Sequence, residues 1–273
     1  MSDSSPHLDA YFARIGYTGS RAPTLAALHA IAGHHAAAIP FENLDVLLNR
    51  PIKLDPASLE AQLVLARRGG YCFQQNGLLL HVLGSLGFMV KPISARVRLQ
   101  RPRDFIPPRT HLFVRVELGG ESWIVDSGIG SASLTAAIRF EDDLEQATPH
   151  DTRRIIRVDG RFFHQVKLGP EWTDVCEFTG EEMPPIDRDL ANWWTSTNPA
   201  SKFRQNLMVA RAGPDGTRRA ILNREFIVRR GAEILDRREI AAADELLQIL
   251  AEHFDLHFPA GTCFGPPGSP WAG

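Results

Sequence analysis

The stretch Arg67-Arg68-Gly69-Gly70-Tyr71-Cys72-Phe73-Gln74-Gln75-Asn76 joins two segments with helical spacing. Its two glycines let the chain change direction. Cys72 then falls at the start of a helix expected over 72–86, with Leu79, Leu80, Leu83 and Leu86 as its apolar residues. Helix starts leave backbone N–H groups unpaired and carry partial positive charge. A thiol so placed ionises more readily, and the thiolate is the nucleophilic form. Taken alone, the stretch fits equally a nucleophilic cysteine or a small buried residue behind a tight turn, since free cysteine is commonly core.

Upstream the pattern is helical. Pro6 follows Ser5 as the expected first turn of a helix carrying Leu8, Tyr11, Phe12 and Ile15. A second helix is expected over 24–38, ended by Pro40, and its His29, His34 and His35 read as surface or capping residues. Pro40-Phe41-Glu42-Asn43-Leu44 reads as a loop, and Asp55-Pro56 as the capped start of a third helix ending at Gly69.

Downstream the periodicity changes to that of strands. Residues 90–99 alternate apolar and polar, and a proline-rich basic loop follows at 101–108. Two alternating runs, 110–118 and 121–129, flank Gly119-Gly120, the signature of a two-residue hairpin turn. With Leu118 facing Glu121, the register brings His111 opposite Gly128 and Phe113 opposite Asp126. His111 and Asp126 then share one face as diagonal neighbours, their Cα atoms roughly 7–8 Å apart. A three-residue turn would place them on opposite faces. Strands are expected at 155–158, 162–168 and 172–178, the last holding a structural Cys176. A short helix at 187–194, a small-polar loop at 195–203, a meander over 207–235, a helix at 242–253 and a Gly/Pro tail at 261–273 complete the chain.

The 273 residues are 44% hydrophobic with net charge −2, enough for more than one core and without the bulk charge that draws nucleic acid or an anionic membrane. Three cysteines make no disulfide framework or zinc motif, and a reducing, cytoplasmic location is expected. No apolar run spans a bilayer. Nothing in the chain speaks to oligomeric state.

Cys72, His111 and Asp126 make a nucleophile, a base and an acid that orients the base. Backbone N–H groups at Cys72 and Phe73 are placed to receive a developing oxyanion. The reaction class this implies is acyl transfer through a thioester.

Arg68-Gly69-Gly70-Tyr71-Cys72-Phe73 with Asn76 resembles the active-site segment of the arylamine N-acetyltransferases. So do Pro40-Phe41-Glu42-Asn43-Leu44, His111-Leu112, Asp126-Ser127-Gly128-Ile129-Gly130 and Ser196-Thr197-Asn198-Pro199 through Phe203, in family order. The resemblance implies an α+β fold: an N-terminal helical bundle (1–88), a central β-barrel (89–200) and a C-terminal α/β lid (201–273), the first two forming a core like that of papain-type cysteine enzymes. It implies acetyl-CoA as donor, no metal, a ping-pong reaction and a small aromatic amine or hydrazine as acceptor. Cys72, His111 and Asp126 map onto nucleophile, base and orienting acid, and Phe41, Val97 and Phe203 onto the acceptor pocket. The family binds coenzyme A in the cleft between barrel and lid, to which loop 101–108 and the Ser196 region would contribute.

Two departures stand out. Gln74 replaces the usual Glu, removing a charge near the thiol while keeping a hydrogen-bonding group. Ser127 and Ile129 stand where Val and Phe are usual, which would reshape the acyl pocket. The competing readings are an amide synthase using another acyl donor on the same scaffold, a cysteine hydrolase, and a catalytically silent binding protein, which would need no such set of Cys, His and Asp.

Overall fold

The structure is a computed structural model and describes residues 7–265; the helix start expected at Ser5–Pro6 and residues 266–273 of the tail lie outside them. Gly119 and Gly120 have φ of 62° and 82°, the left-handed pair that a two-residue hairpin turn requires. With β1 to β13 and α1 to α8 numbered in chain order, this turn joins β3 (His111–Leu118) to β4 (Glu121–Val125), pairing Leu118 with Glu121 and Val114 with Val125. That is the expected register. The strand expected to reach 129 stops at Val125 instead. Asp126 accepts the Gly128 N–H at 2.9 Å through its side chain and the Leu134 N–H at 2.7 Å through its carbonyl. These bonds turn the chain inward.

Around the hairpin the strands run β5 (Ile138–Arg139), β4, β3, β2 (Met89–Val97), β9 (Glu171–Phe178), β8 (Arg161–Leu168), β7 (Thr152–Val158) and β6 (Gln146–Ala147), all antiparallel. The edges meet through one side chain: Gln146 accepts the Arg139 N–H at 2.6 Å and donates to the Arg139 carbonyl at 3.0 Å. The result is a near-closed barrel filled by Ile93, Phe113, Ile124, Ile155, Val166, Val175, Cys176 and Phe178.

One side of the barrel rests on the N-terminal helices α1 (Leu8–Ile15), α2 (Leu25–Ala38), α4 (Pro56–Glu60) and α5 (Cys72–Ser85). Thr24 and Asp55 cap α2 and α4 through their side-chain oxygens. Leu28, Ile31, Leu63, Leu79 and Val82 pack with the barrel's Val114, Val116 and Val125. After α4 the helix continues as a π-helical turn, Ala61–Leu65, which shifts its phase and leaves Leu65 66% exposed rather than in the core. His35, expected at the surface, is fully buried.

The C-terminal sheet runs β1 (Phe41–Glu42), β10 (Met208–Ala212), β11 (Thr217–Leu222), β12 (Glu225–Arg230) and β13 (Glu233–Glu239), with α8 (Ala243–Phe254) packed on Val209, Ile221 and Phe226. The segment around Phe41 is therefore a strand, not the expected loop. Asn43, just before α3 (Leu44–Leu47), draws it there: its side chain donates to the Phe203 and Asn206 carbonyls at 2.7 Å and accepts the Met208 N–H at 2.8 Å. The expected loop at 195–203 is also shorter. Helix α6 (Pro185–Thr197) takes in Thr195 to Thr197, because the Ser196 and Thr197 hydroxyls bond back to the Asn192 and Trp193 carbonyls. A short α7 (Lys202–Gln205) follows. Among the described residues no helix is long and apolar enough to cross a membrane.

Candidate active site

Gly69 and Gly70 act through their lack of a side chain, not through a left-handed backbone, which in this turn belongs to Arg67 at φ 53°. A Cβ on Gly69 would lie 2.1 Å from the Pro40 carbonyl oxygen. The tight approach lets Glu42 N–H bond to the Gly70 carbonyl and Gly70 N–H to the Pro40 carbonyl, so β1 runs beside the turn that leads into Cys72. Arg68 clamps the same pair from the side, bonding Glu42 at 2.7 Å and Asp45 at 3.2 Å. Gln74 reaches back to accept the Tyr71 N–H at 3.1 Å, the half of a capping box that a glutamate would supply. The amide thus keeps this helix start.

Cys72 begins α5 and is buried, as are His111 and Asp126. His111 Nε2 lies 2.7 Å from Asp126 Oδ2, which leaves Nδ1 for the thiol. Cys72 interacts with the imidazole and its Sγ lies 3.5 Å from the Thr110 carbonyl. Burial alone would push the His111 pKa down. The charge of Asp126, their hydrogen bond and the contact with Cys72 outweigh it and raise it to about 10. Burial would likewise raise Asp126, but His111, the Asn76 amide and the Gly128 N–H together hold its carboxyl below the usual range.

Phe41 and Phe203 come together, their ring centroids 6.2 Å apart, and Tyr71 lies 5.2 Å from Phe203. These rings join Cys72, Phe73 and Leu112 in one apolar cluster. Val97 does not join it; it packs against the barrel core with Ile129 and Cys176.

The family model for N-acetyltransferases matches residues 24–262. The chain is 40% identical over 92% of its length to the arylamine N-acetyltransferase of Escherichia coli K12, covering 89% of that protein.

The chain belongs to the arylamine N-acetyltransferase family.

It is an enzyme of the acyltransferase class. The arylamine N-acetyltransferase of Salmonella typhimurium superposes with a TM-score of 0.87 at 36% identity, covering 91% of this chain and 90% of that one. That of Mycobacterium marinum, solved in complex with CoA, superposes with a TM-score of 0.87 at 32% identity, covering 91% and 92%. Three residues of this family member carry structural work that sequence reasoning left unassigned. Asn76 donates to the Leu112 carbonyl at 2.6 Å and to Asp126 at 2.9 Å, and accepts the Ser127 N–H at 3.0 Å, tying α5 to β3 and to the turn that follows β4. Gln75 donates to the Pro40 carbonyl at 2.7 Å and the Gly70 carbonyl at 3.2 Å and accepts from His35 Nε2 at 2.7 Å, while Tyr11 bonds His35 Nδ1 at 2.9 Å. Asn76 is signalled by its place in the active-site segment, whereas the only sequence signal for Gln75 is a polar residue on the inward face of an otherwise apolar helix.

Gly128 is the third. A Cβ there would sit 2.5 Å from Cys72 Cα and 2.6 Å from Asn76 Nδ2. Gly128→Ala is therefore expected to push α5 from the hairpin and lower kcat/KM about 100-fold, the cost of misplacing reacting groups by about 1 Å. Steady-state kinetics beside a melting curve checks this.

Proposed function

We propose that the enzyme transfers acetyl from acetyl-CoA to the nitrogen of arylamines, arylhydrazines or similar acceptors, by a ping-pong reaction through an acetyl thioester on Cys72. The observation that carries the reading is the buried Cys72, His111 and Asp126 arrangement, set in a fold shared with the arylamine N-acetyltransferases of Salmonella typhimurium and Mycobacterium marinum. Cys72 attacks the thioester carbonyl as the thiolate, its proton held on His111. The helix start leaves its first N–H groups without intrahelical partners, so those of Cys72 and Phe73 face the oxyanion. The CoA thiolate leaves and takes the His111 proton. Acetylation removes the Cys72 charge, one of the causes that hold a proton on His111. The neutral imidazole then takes a proton from the attacking amine, the C–N bond forms, and Cys72 is released as the thiolate. Asp126 fixes the ring and stabilises the imidazolium. Phe41 and Phe203 offer faces and edges to an aromatic acceptor, with Tyr71 packed behind Phe203. We place this activity in the cytoplasm, which three cysteines, too few for a disulfide framework, support.

Incubation with acetyl-CoA in the absence of amine, followed by intact mass measurement, tests this. One added acetyl mapped to Cys72 and discharged by an aromatic amine or hydrazine is expected. No adduct, with Cys72 still alkylatable, would overturn the assigned donor and favour an amide synthase.

A further inference from the structure

The seam between the barrel and the C-terminal sheet buries more positive charge than its carboxylate balances. Asp151, just before β7, bonds Arg153 Nε at 2.5 Å and the same guanidinium again at 2.8 Å. Arg218 of β11 donates to Asp151 Oδ2 at 2.8 Å, the oxygen that also accepts the second Arg153 bond. The three side chains are 0%, 1% and 2% exposed for Arg153, Asp151 and Arg218. Arg229 of β12 stands directly opposite Arg218, a like-charge pairing that destabilises a sheet. Arg229 donates to the Gly231 carbonyl at 2.7 Å and the Ser131 carbonyl at 2.9 Å, and contacts no carboxylate among the described residues. His164 adds no negative charge: it faces Arg153 at 3.3 Å, and burial followed by the Arg153 charge pushes it down to about 3. Two guanidinium groups, Arg153 and Arg218, thus share one carboxylate out of reach of water, where uncompensated charge is costly, and the half-buried Arg229 adds a third beside them. The Arg218 Nε–H is also buried without a hydrogen-bond partner among the described residues.

We propose that this seam binds a small monovalent anion of the chloride class, which accepts the Arg218 Nε–H and balances the facing Arg229. One unused donor suits a spherical acceptor; an oxyanion would need several. Burial of Arg153 and Arg218 leaves the unused donor no opening for a nucleotide. The ion ties the turn after Asp126, through Ser131 and Arg229, to the sheet that carries β1 along its edge.

Melting curves in sodium chloride and in sodium gluconate at equal ionic strength test the proposal. Raising chloride from ~1 to ~100 mM is expected to raise Tm saturably by about 2–4 °C, as mass action on a native-state site requires. Arg218→Lys keeps the charge, removes the Nε–H and is expected to abolish the chloride dependence. Should that variant fail to fold, wild-type crystals grown in bromide provide the second measurement, with an anomalous peak expected at hydrogen-bond distance from Arg218 Nε. Equal Tm in the two salts, no bromide peak at the seam, or a chloride dependence that survives in a folded Arg218→Lys each overturns the proposal. A peak without a Tm difference means an adventitious ion only, and overturns it too.

Discussion

Cys72→Ser is expected to lower acetyl transfer by roughly 10⁶-fold while leaving the protein folded. Removing the nucleophile of such a set costs about that factor elsewhere. A serine hydroxyl is a far weaker nucleophile than a thiolate, because it stays protonated. The swap is nearly isosteric at a buried position whose neighbours are Tyr71, Phe73 and Leu112, so the melting temperature should hardly move. The measurement is kcat/KM for an arylamine with acetyl-CoA, beside intact mass after exposure to donor alone. A variant retaining more than about 1% of activity would remove Cys72 from the chemistry.

Asp126→Asn is expected to cost about 10⁴-fold in kcat, the penalty seen when an orienting acid becomes an amide and the histidine takes the wrong tautomer. A pH signature separates this from simple misfolding. In the native protein Asp126 is the main partner that opposes burial and lifts His111 from 6.5 to about 10. Without it, Cys72 alone is left to oppose burial, and the imidazole titrates lower than in the wild type. Residual activity should then change its pH profile through a group titrating on the acid side, in a range where the wild-type His111 is fully protonated. Stability follows the same signs. His111 is raised, so its contribution is complete below 6.5 and lost as pH climbs through about 10. Asp126 is lowered, so its contribution is present above 3.8 and lost as pH falls through its depressed value. The gap in Tm between wild type and Asp126→Asn should therefore be widest between about pH 4 and 6.5 and close towards pH 10. A gap that does not vary with pH would sink the assignment.

What could be read in the sequence was what local chemistry decides. Gly119-Gly120 favours a two-residue turn, that turn fixes one register, and the register brings His111 to Asp126. Thr24, Asp55 and the helix start at Cys72 are likewise local. What escaped depends on partners distant in the chain. Phe41 and Glu42 look like loop residues because their strand partners, Ala210 and Val209, lie in the last third. His35 is polar on an apolar helix, and only Tyr11 and Gln75 make its burial tolerable. The end of α6 escapes for a different reason: Ser196 and Thr197 have low helix propensity, but their hydroxyls find helix carbonyls. Ile129 and Val97 share the barrel cluster, a neighbourhood that no spacing rule reveals.

The short strand β1 has a bearing on how the molecule is made. Asn43 is held by Phe203, 160 residues further on, and β1 finds its ladder only on β10. A ribosome delivers α5 and the hairpin long before it delivers that ladder. During synthesis the turn that leads into Cys72 therefore waits with one flank unsupported. A nascent chain stopped before β10 contains Cys72, His111 and Asp126 and still lacks the strand pairing that locks the segment beside them. Such contacts between remote parts of a chain form late and slowly, so assembly of this site is a terminal event of folding.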